Sequence, residues 1–471
     1  MNGSRLKRRK RTRRDGNLHR HLIPPSEPRS DTKSHSKSDS VPSSSQSVAP
    51  APRSRRSFSS DQFPLFLWVP MIAVLVIVIG YRWIWTSYFQ DTEWEHTSIG
   101  GNSEHNIAFK VSLDEAAADH GALCLDGSTP IFYYSKGIEQ DRTKFVLLIE
   151  GGAWCYDEDD CWSRRQTRRG STVNDSDTKD LNEIAFLQNS PSANPLMHRW
   201  NHIYVRMCDG MSFAGDVQEP LVRTQNASRS MYFRGNRIWK GLFAKLSADY
   251  GLDTATDVVV AGSSSGGFAV FLHSHSLRRL FDPVRTKLVL LSSGGFMLRS
   301  NGHKGSTRWA DRMKYAFSMQ NGRSSLLGTR CLGEHQMDDS ECVFPQNLIG
   351  DIVVPTFFLN SQFDEWQSVH ILGTATSDAL LLNQHGQEMA GMLRQKVMSD
   401  GGAFGAFIDG CYHHSCWRPA RWNNLYIDGT NAATAFSQFY SGLDVERGQG
   451  RRWWYENVTF PCDECKCPVL K

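Results

Sequence analysis

The first 62 residues contain no cysteine and few apolar side chains, and they carry 15 lysines and arginines against five acids. A segment of this composition cannot bury enough apolar surface to fold, which excludes a globular N-terminal domain. Basic clusters such as residues 7–11 would suit nucleic acid, but the segment that follows favours anionic lipid headgroups. We therefore predict a disordered, basic cytosolic tail over residues 1–62, with no nucleic-acid partner.

Charge is absent from residues 63–81, FPLFLWVPMIAVLVIVIGY. As a helix these residues would be about 28 Å long, close to the thickness of a bilayer's hydrocarbon core. Because 62 residues precede this stretch, it does not read as a cleavable signal peptide. We predict a transmembrane signal-anchor helix over residues 63–85, with the basic side in the cytosol, although a buried core helix is the alternative. Aromatic residues gather at its ends, as interfacial anchors do: Trp68, Tyr81, Trp83 and Trp85.

All 11 cysteines follow the predicted membrane helix. An oxidising compartment explains this asymmetry, so we predict a single-pass type II membrane protein whose C-terminal part is lumenal or extracellular. An odd number of cysteines leaves at least one thiol free or paired with another chain. Three glycosylation sequons, at Asn174, Asn226 and Asn457, lie on the same side of the helix.

The rest of the chain divides into a short stem, residues 86–106, and a domain, residues 107–471. Short apolar runs in the domain predict buried strands of a parallel sheet that is covered on both faces. Helical stretches at 228–251 and 266–280 alternate with these strands, and no internal repeat is present. The pattern predicts an α/β fold with a doubly wound, mostly parallel sheet. The predicted strands lie at 144–150, 202–207, 257–262, 287–293 and 353–360.

Three consecutive serines stand between glycines in GSSSGG, directly after one of these strands. The pattern G-x-S-x-G fits in one frame only, with Ser264 at its centre. A strand before the motif and a helix after it are typical of a nucleophile elbow, in which a sharp turn lifts the serine above the sheet. A flexible Ser/Gly turn is the alternative. In the elbow, Ser265 would lend its backbone N–H to an oxyanion hole.

A serine nucleophile needs a base and an acid that orients the base, and in this fold the acid precedes the histidine in the chain. Asp364 follows a strongly apolar strand and suits the acid, with its neighbour Glu365 as a rival. His413 and His414 both lie between cysteines in GCYHHSCW, and their spacing does not choose between them.

A second oxyanion donor is expected from a glycine-rich loop after an earlier strand. Gly151, Gly152 and Ala153 follow such a strand in VLLIEGGAWCY. A tight turn would use the same glycines, so this feature alone leaves both interpretations open.

Seven ordered blocks of the sequence resemble those of the pectin acetylesterase family, which also contains the Notum carboxylesterases. The resemblance extends over roughly residues 108–467. It implies an α/β-hydrolase fold, a Ser-Asp-His triad, and no metal or organic cofactor. The blocks are GALCLDGSTP, IEGGAWCYDEDDCWSRR, NPLMHRWNHIYVRMCDGMSFAGD, YFRGNRIW, GSSSGG, LNSQFDEWQ and FIDGCYHHSCW.

The resemblance also implies a role for particular residues. The family pattern Cys-x-x-His, counted from Cys411, implies His414 as the base, with Ser264 as the nucleophile and Asp364 as the acid. The implied oxyanion donors are the backbone N–H groups of Gly152, Ala153 and Ser265. A disulfide between Cys155 and Cys161 is implied as well.

The sequence departs from the family at several positions. Ser265 replaces the usual alanine, and Cys416 is displaced by one residue after His414. Ser293 and Arg299 stand near positions where the family has aspartates, and we expect this change to reshape the substrate pocket. The CDECKC motif, residues 462–467, resembles a zinc motif, but the family has a disulfide-forming pair there.

We therefore expect a serine carboxylesterase that removes O-acetyl groups from pectin or a related extracellular polysaccharide. It would act in the secretory pathway or at the cell surface, without a cofactor. A Notum-like esterase that removes a palmitoleoyl group from a protein is the first alternative, and it would need a deep apolar pocket. A non-catalytic, membrane-anchored binding protein with the same fold is the second.

Overall fold

The structure is a computed structural model that describes residues 106–222, 230–333, 338–444 and 450–468. The predicted tail, the predicted membrane helix over 63–85 and the stem up to residue 105 lie outside the described residues, as does the sequon at Asn226. Within the described ranges, no helix has the length and apolarity that crossing a membrane requires.

A ten-stranded, largely parallel sheet forms the centre of the domain, with the strand order β14-β11-β10-β9-β8-β3-β5-β2-β1-β4. The seven strands from β14 to β5 are parallel to one another, and β2, β1 and β4 extend the sheet with antiparallel pairings. Two further strand pairs, β6–β7 and β12–β13, are short hairpins. The strands are β1 (Ile107–Ser112), β2 (Ile131–Ser135), β3 (Lys144–Ile149), β4 (Thr178–Asp180), β5 (Asn201–Val205), β6 (Leu221–Val222), β7 (Ser230–Met231), β8 (Asp257–Ser263), β9 (Lys287–Ser293), β10 (Thr356–Ser361), β11 (Phe404–Asp409), β12 (Tyr426–Ile427), β13 (Thr430–Asn431) and β14 (Trp453–Tyr455).

Helices connect most of the parallel strands, as right-handed crossovers in an α/β fold require. The described α-helices are α1 (Asp114–His120), α2 (Glu158–Arg164), α3 (Gly235–Tyr250), α4 (Ser265–Leu272), α5 (Ser274–Leu280), α6 (Arg308–Met319), α7 (Pro345–Leu348), α8 (Glu365–Gln367), α9 (Ala379–Ser399), α10 (Pro419–Asn424) and α11 (Ala432–Gly442). A π-helical turn follows α8 at Ser368–Leu372, and short 3-10 helices occur at Glu139–Asp141, Ala185–Leu187, Leu252–Thr254, His303–Gly305, Gly322–Leu326, Cys331–Gly333, Asp339–Val343 and Ile349–Asp351.

Apolar side chains cover both faces of the sheet, which explains why its central strands are apolar without alternation. On β10, Phe358 points into a core shared with α4, α6 and α9, whereas Phe357 packs against α11 on the opposite face. Helix α3 packs through Trp239 and Leu242 against residues of β3 and β8. Together these layers are consistent with an α/β-hydrolase-like fold.

The five predicted strands are confirmed, with ends that differ by a few residues. Both predicted helical stretches need correction in their bounds. Helix α3 begins only at Gly235, because Ser230–Met231 pairs with β6 as a strand. The stretch 266–280 is two helices separated at His273, whose buried ring stacks on Trp239 and lies 3.0 Å from the Ser212 carbonyl.

Ten of the eleven cysteines form disulfides, which indicates an oxidising compartment. The expected Cys155–Cys161 bridge is confirmed. The zinc interpretation of CDECKC is excluded, because its three cysteines all form disulfides. The odd cysteine is Cys416, which is buried and free. The bridges are Cys124–Cys208, Cys155–Cys161, Cys331–Cys342, Cys411–Cys467 and Cys462–Cys465.

Candidate active site

The predicted site residues follow the carboxyl ends of four parallel strands. Ser264 follows β8, Asp364 lies three residues after β10, His414 comes five residues after β11, and the Gly151–Ala153 loop follows β3. Since these strands are parallel, their carboxyl ends meet at one edge of the sheet, where open α/β sheets bind their ligands.

Ser264 has the strained backbone of a nucleophile elbow. Its φ is +56° and its ψ is −123°, and its N–H donates to the Ser293 carbonyl at 2.7 Å. A Cβ on Gly262 would lie 2.0 Å from the Gly266 carbonyl oxygen, and one on Gly266 would lie 2.3 Å from the Ile149 oxygen. Both glycines of the motif are therefore needed for the chain to turn this tightly.

A chain of hydrogen bonds joins the three predicted triad side chains. His414 Nε2 lies 2.7 Å from Ser264 Oγ, and its Nδ1 lies 2.8 and 3.0 Å from the two carboxylate oxygens of Asp364. The His414 side chain is 19% exposed, whereas that of Asp364 is 1% exposed. Glu365, the rival acid, is exposed; its backbone N–H donates to the His413 carbonyl, and its own carbonyl accepts from Ser368 Oγ. The structure thus brings Asp364, and not Glu365, to the histidine.

Asp364 stays negatively charged although it is buried. Burial acts to raise the pKa of its carboxyl group, but the attraction of His414 and hydrogen bonds from His414 and the Gln367 N–H outweigh it. The pKa of Asp364 consequently lies below its usual range, which suits a carboxylate that must orient and stabilise an imidazolium.

Hydrogen bonds from neighbouring side chains hold the loop that carries His414. Arg421 Nη1 donates to the carbonyl oxygens of His414 and Ser415, at 2.9 and 3.2 Å. Ser415 has a φ of +58° and accepts a hydrogen bond from Ser263 Oγ. Ser415 is the residue that separates His414 from Cys416, and its backbone is left-handed. The Cys416 N–H donates to Ser293 Oγ at 2.7 Å.

Two of the three predicted oxyanion donors are available. Among the described residues, no acceptor is bonded to the backbone N–H of Ala153 or of Ser265, and the latter begins α4, where N–H groups lack an intrahelical partner. The N–H of Gly152 differs, because it donates to the Ser265 hydroxyl at 2.9 Å. Ser265, which stands where the family usually has alanine, therefore accepts the Gly152 N–H, and this N–H is not free for an oxyanion in the conformation described.

Three residues that were not predicted as site residues, Trp154, Ser212 and Arg164, hold these loops together. Trp154 Nε1 donates to Ser212 Oγ, which in turn donates to the Ser265 carbonyl. The buried Arg164 donates to the carbonyl oxygens of Gly152 and Ala153. All of these residues lie within or beside the sequence blocks that carry the family resemblance, which is the one signal that pointed to them.

Asp209 forms a second buried support near the same loops. Its Oδ2 accepts the N–H groups of Met211 and Phe213, at 3.1 and 2.7 Å. Burial raises the pKa of Asp209 to about 6, although these bonds and the nearby Arg164 oppose the shift. The carboxylate fixes a turn in which Ser212 and Phe213 both have positive φ.

A small apolar cavity of about 10 Å³ opens beside Ser264, which is room for about one water molecule. A groove of about 380 Å³ adjoins it and shares two of its lining residues, Tyr156 and Trp309. Neither Ser293 nor Arg299, where the sequence departs from the family, lines this cavity. Ser293 is buried and accepts the Cys416 N–H through its Oγ, and Arg299 is paired with Glu341. The cavity is lined by Ala153, Trp154, Tyr156, Ser264, Ser265, Phe268, Met297, Trp309, Met313 and Trp366.

One cluster of potential metal ligands occurs among the described residues, formed by Asp409, His413 and Cys416. His413 Nε2 lies 2.9 Å from Asp409 Oδ1, so these two groups are already bonded to each other. Burial and the nearby Asp409 raise the pKa of the Cys416 thiol well above its usual range, which keeps it protonated and a poor ligand.

Comparisons with known proteins identify the family. A model of the pectinacetylesterase family matches residues 102–466. Pectin acetylesterase 5 of Arabidopsis thaliana is 30% identical over 325 residues, which cover 65% of this chain and 73% of the relative. The chain belongs to the pectinacetylesterase family. It is thus a carboxylic ester hydrolase, and the expectation of a non-catalytic binding protein is not supported.

The chain is also similar to proteins named as palmitoleoyl-protein carboxylesterases. The palmitoleoyl-protein carboxylesterase NOTUM of Drosophila melanogaster is 25% identical over 346 residues. The match covers 72% of this chain but about half, 49%, of the NOTUM sequence. Pectin acetylesterase 11 of Arabidopsis thaliana is 27% identical, over 66% of this chain and 70% of its own length.

Proposed function

We propose that the chain is a serine carboxylesterase that removes O-acetyl groups from pectin or a related polysaccharide. The observation that carries this proposal is the hydrogen-bonded series Ser264–His414–Asp364, beside whose serine a small apolar cavity opens. The same family includes relatives named as pectin acetylesterases, and they share up to 30% of their aligned residues with this chain.

The proposed reaction has two steps. His414 Nε2 takes the hydroxyl proton of Ser264 while Oγ attacks the acetyl carbonyl carbon, and the carbonyl oxygen becomes an oxyanion. The intermediate collapses, the C–O bond to the sugar breaks, and His414 returns the proton to the leaving sugar oxygen. Water, deprotonated by His414, then attacks the acetyl-enzyme, and acetate leaves as Ser264 regains its proton.

Asp364 and the backbone donors stabilise the charges that develop in each step. Asp364 holds His414 Nδ1 and stabilises the imidazolium, because its carboxylate is buried and stays ionised. The N–H groups of Ala153 and Ser265 receive the oxyanion. The N–H of Gly152 joins them when the Ser265 hydroxyl releases it.

The size of the cavity favours an acetyl group over a long acyl chain. Its volume of about 10 Å³ holds roughly one water-sized group, and the bulky side chains of Phe268, Trp309 and Met313 close it. A palmitoleoyl chain would require the displacement of several of these buried side chains, which interior packing resists. This geometry supports an acetylesterase over the Notum-like alternative.

The adjoining groove supports a polysaccharide as the alcohol part of the substrate. Tyr156 is partly exposed and offers aromatic surface, Arg312 lies over its ring, and the exposed Arg308 adds a second guanidinium group. Guanidinium groups bind carboxylates with matched geometry, and pectin is rich in uronic acids. A sugar polymer lying in this groove would present an O-acetyl group to Ser264.

The cellular setting remains part of the proposal. The disulfides and the family support a compartment of the secretory pathway or the extracellular space. We propose that the apolar segment 63–85 anchors the enzyme as a type II membrane protein, with the basic tail in the cytosol and the esterase domain facing the polymer.

An acyl-chain series tests the proposed activity. Purified full-length protein is assayed with 4-nitrophenyl acetate, butyrate and octanoate, and acetate release is measured from acetylated pectin. We expect the highest kcat/KM for the acetyl ester, acetate release from the polymer, and loss of both in Ser264→Ala. A preference for octanoate would instead support the Notum-like alternative.

A further inference from the structure

Arg164 is a buried arginine that contacts the carbonyl groups of the Gly151–Ala153 loop, called the oxyanion loop below. It is the last residue of α2, and its side chain is buried. One nitrogen, Nη2, donates to the carbonyl oxygens of Gly152 and Ala153, at 2.8 and 2.9 Å. The Cys155–Cys161 disulfide joins the same loop to the same helix.

The surroundings of Arg164 are unfavourable for a group that serves stability alone. Among the described carboxylates, none is close enough to form an ion pair with it, and its Nε is buried without a partner. Burial lowers the pKa of Arg164, although the more distant Asp209 opposes the shift. A buried charge that is not directly paired costs free energy of folding, so its retention here points to another role.

The geometry of the peptide group connects Arg164 with the oxyanion. In a planar trans peptide, the C=O of one residue and the N–H of the next point in opposite directions. A hydrogen bond that holds the Gly152 carbonyl toward α2 therefore directs the Ala153 N–H away from α2. Ala153 has a φ of +60°, a conformation that a residue with a Cβ adopts only when its surroundings impose it.

We infer that Arg164 is a positioning residue of the oxyanion hole, which fixes the Ala153 N–H in the direction of the reacting carbonyl. The inference rests on the proposed function, because it assumes that Ala153 receives the oxyanion. Arg164 also places a fixed positive charge behind the loop, in a region of low dielectric constant where such a charge favours developing negative charge. Arg164 itself does not touch the substrate.

The test compares Arg164→Lys and Arg164→Met with wild type on 4-nitrophenyl acetate. Loss of one oxyanion donor typically costs about 10²–10³-fold in kcat, so a misdirected donor is expected to cost about 10–10²-fold. We expect KM to change less than about threefold, because ground-state binding does not depend on this N–H. Affinity for an alkylboronic acid, whose Ser264 adduct places an oxygen in the hole, should fall in parallel with kcat. The pH profile should keep its shape, because His414 and Asp364 are untouched.

The neighbouring arginine provides a matched control. Arg165 lies over the Trp162 ring, 4.9 Å from its centre, and makes no bond to the oxyanion loop. Arg165→Lys and Arg165→Met should retain wild-type kcat and boronate affinity. Thermal unfolding of every variant is recorded, and Arg164→Lys, which keeps the charge, decides the question if Arg164→Met does not fold. Wild-type kcat in Arg164→Lys, or a kcat loss without a loss of boronate affinity, would overturn the inference.

A second measurement separates this inference from the proposed substrate. Phosphonylation of Ser264 by a fluorophosphonate also builds negative charge on an oxygen in the hole, and it needs no acetyl ester. If wild type hydrolyses no acetyl ester but reacts with the probe, the substrate proposal fails while Arg164 is still tested. Slower phosphonylation in Arg164→Lys, with an unchanged rate in Arg165→Lys, supports the inference, and equal rates contradict it.

Discussion

Two Asp–His pairs lie side by side in this domain, and only one of them reaches a serine. His414 Nδ1 is bonded to Asp364 at 2.8 Å, and adjacent His413 Nε2 is bonded to Asp409 at 2.9 Å. The first pair continues to Ser264 and is partly exposed through His414. In the second pair both side chains are 4% exposed or less, and His413 Nδ1 has no partner among the described residues.

The comparison shows that an Asp–His pair is not by itself a catalytic device. Both histidines have a carboxylate on one ring nitrogen, so the orienting partner does not distinguish them. What distinguishes them is the other ring nitrogen. In His414 it contacts the Ser264 hydroxyl, whereas in His413 it is buried without a hydrogen-bond partner among the described residues. Asp409 also accepts the Cys411 N–H, so the second pair ties together the loop that presents the first.

The largest expected effect separates the two histidines. His414→Gln removes the base, and we expect kcat for 4-nitrophenyl acetate to fall by about 10⁴-fold or more, since loss of a triad base has effects of this order. His413→Gln should leave kcat of the folded protein within about tenfold of wild type. Steady-state kinetics on both variants, with concentrations corrected for active sites, makes the measurement.

For the free energy of unfolding, His413→Gln should have a larger effect than His414→Gln, the reverse of their order in kcat. His413→Gln removes the imidazole that is bonded to buried Asp409, and the loss of a buried hydrogen-bond partner typically costs about 1–3 kcal/mol of unfolding free energy. His414→Gln changes a partly exposed residue and should cost less than His413→Gln in urea unfolding. A His413 variant that is inactive but as stable as wild type would show that the two roles have been assigned the wrong way round.

Asp364→Asn tests the acid of the catalytic pair. We expect a fall in kcat of about 10⁴-fold, because the asparagine leaves the histidine without a carboxylate and in the wrong tautomer. Glu365→Gln, a change at the exposed neighbour, is the matched control and should keep wild-type kcat. Equal losses in the two variants would show that Glu365 shares the role.

The same variant has a signature in the pH dependence of stability. The pKa of Asp364 is lower in the folded than in the unfolded protein, so its ionised form stabilises the fold above the unfolded value of about 3.9. This contribution is lost as the pH falls through the folded pKa. The unfolding free energy of wild type should therefore exceed that of Asp364→Asn most at pH 7, and the gap should narrow below about pH 4. A gap that widens on acidification would contradict the assigned shift.

Much of this arrangement could be predicted because it depends on local pattern. The apolar runs placed five strands, and Ser264 was located by a motif whose glycines are required by contacts of 2.0 and 2.3 Å. Asp364 could be placed because the acid follows a strand in a known order. The choice of His414 over His413 needed the family pattern, since both residues have the same neighbours in sequence and differ only in tertiary contacts.

The remaining features depend on contacts between distant segments. Arg164 meets Gly152 through a helix that folds back on the loop, and Ser265 meets Gly152 across two strands. Neither contact leaves a periodic signal in the sequence. Ser293 and Arg299 do not line the cavity for the same reason, because proximity to a motif in sequence does not determine where a side chain lies.

A moderate effect is expected from the cavity beside Ser264, the serine that only the His414 pair reaches. Met313 is a buried residue that lines this cavity, and Met313→Ala would enlarge the cavity by the volume of the lost side chain. Each methylene in such a pocket is worth about 10-fold or more in discrimination, so we expect the ratio of kcat/KM for butyrate over acetate to rise about tenfold. Met319→Ala, on the same helix but outside the cavity, is the control and should leave the ratio unchanged. An unchanged ratio in Met313→Ala would show that the acyl group lies elsewhere.

The smallest effect is expected on the other side of Ser264, where Ser265 occupies the N–H of Gly152. Ser265→Ala restores the residue that the family usually has and frees this N–H for the oxyanion, at the loss of one hydrogen bond. We expect kcat for 4-nitrophenyl acetate to rise by no more than about threefold, because Ala153 and Ser265 already supply two backbone donors. Boronate affinity should rise in the same proportion, and the pH profile should keep its shape because the His414 pair is unchanged. A fall of tenfold or more would instead show that the Ser265 hydroxyl itself donates to the oxyanion, which would place a side chain in a role here assigned to the backbone.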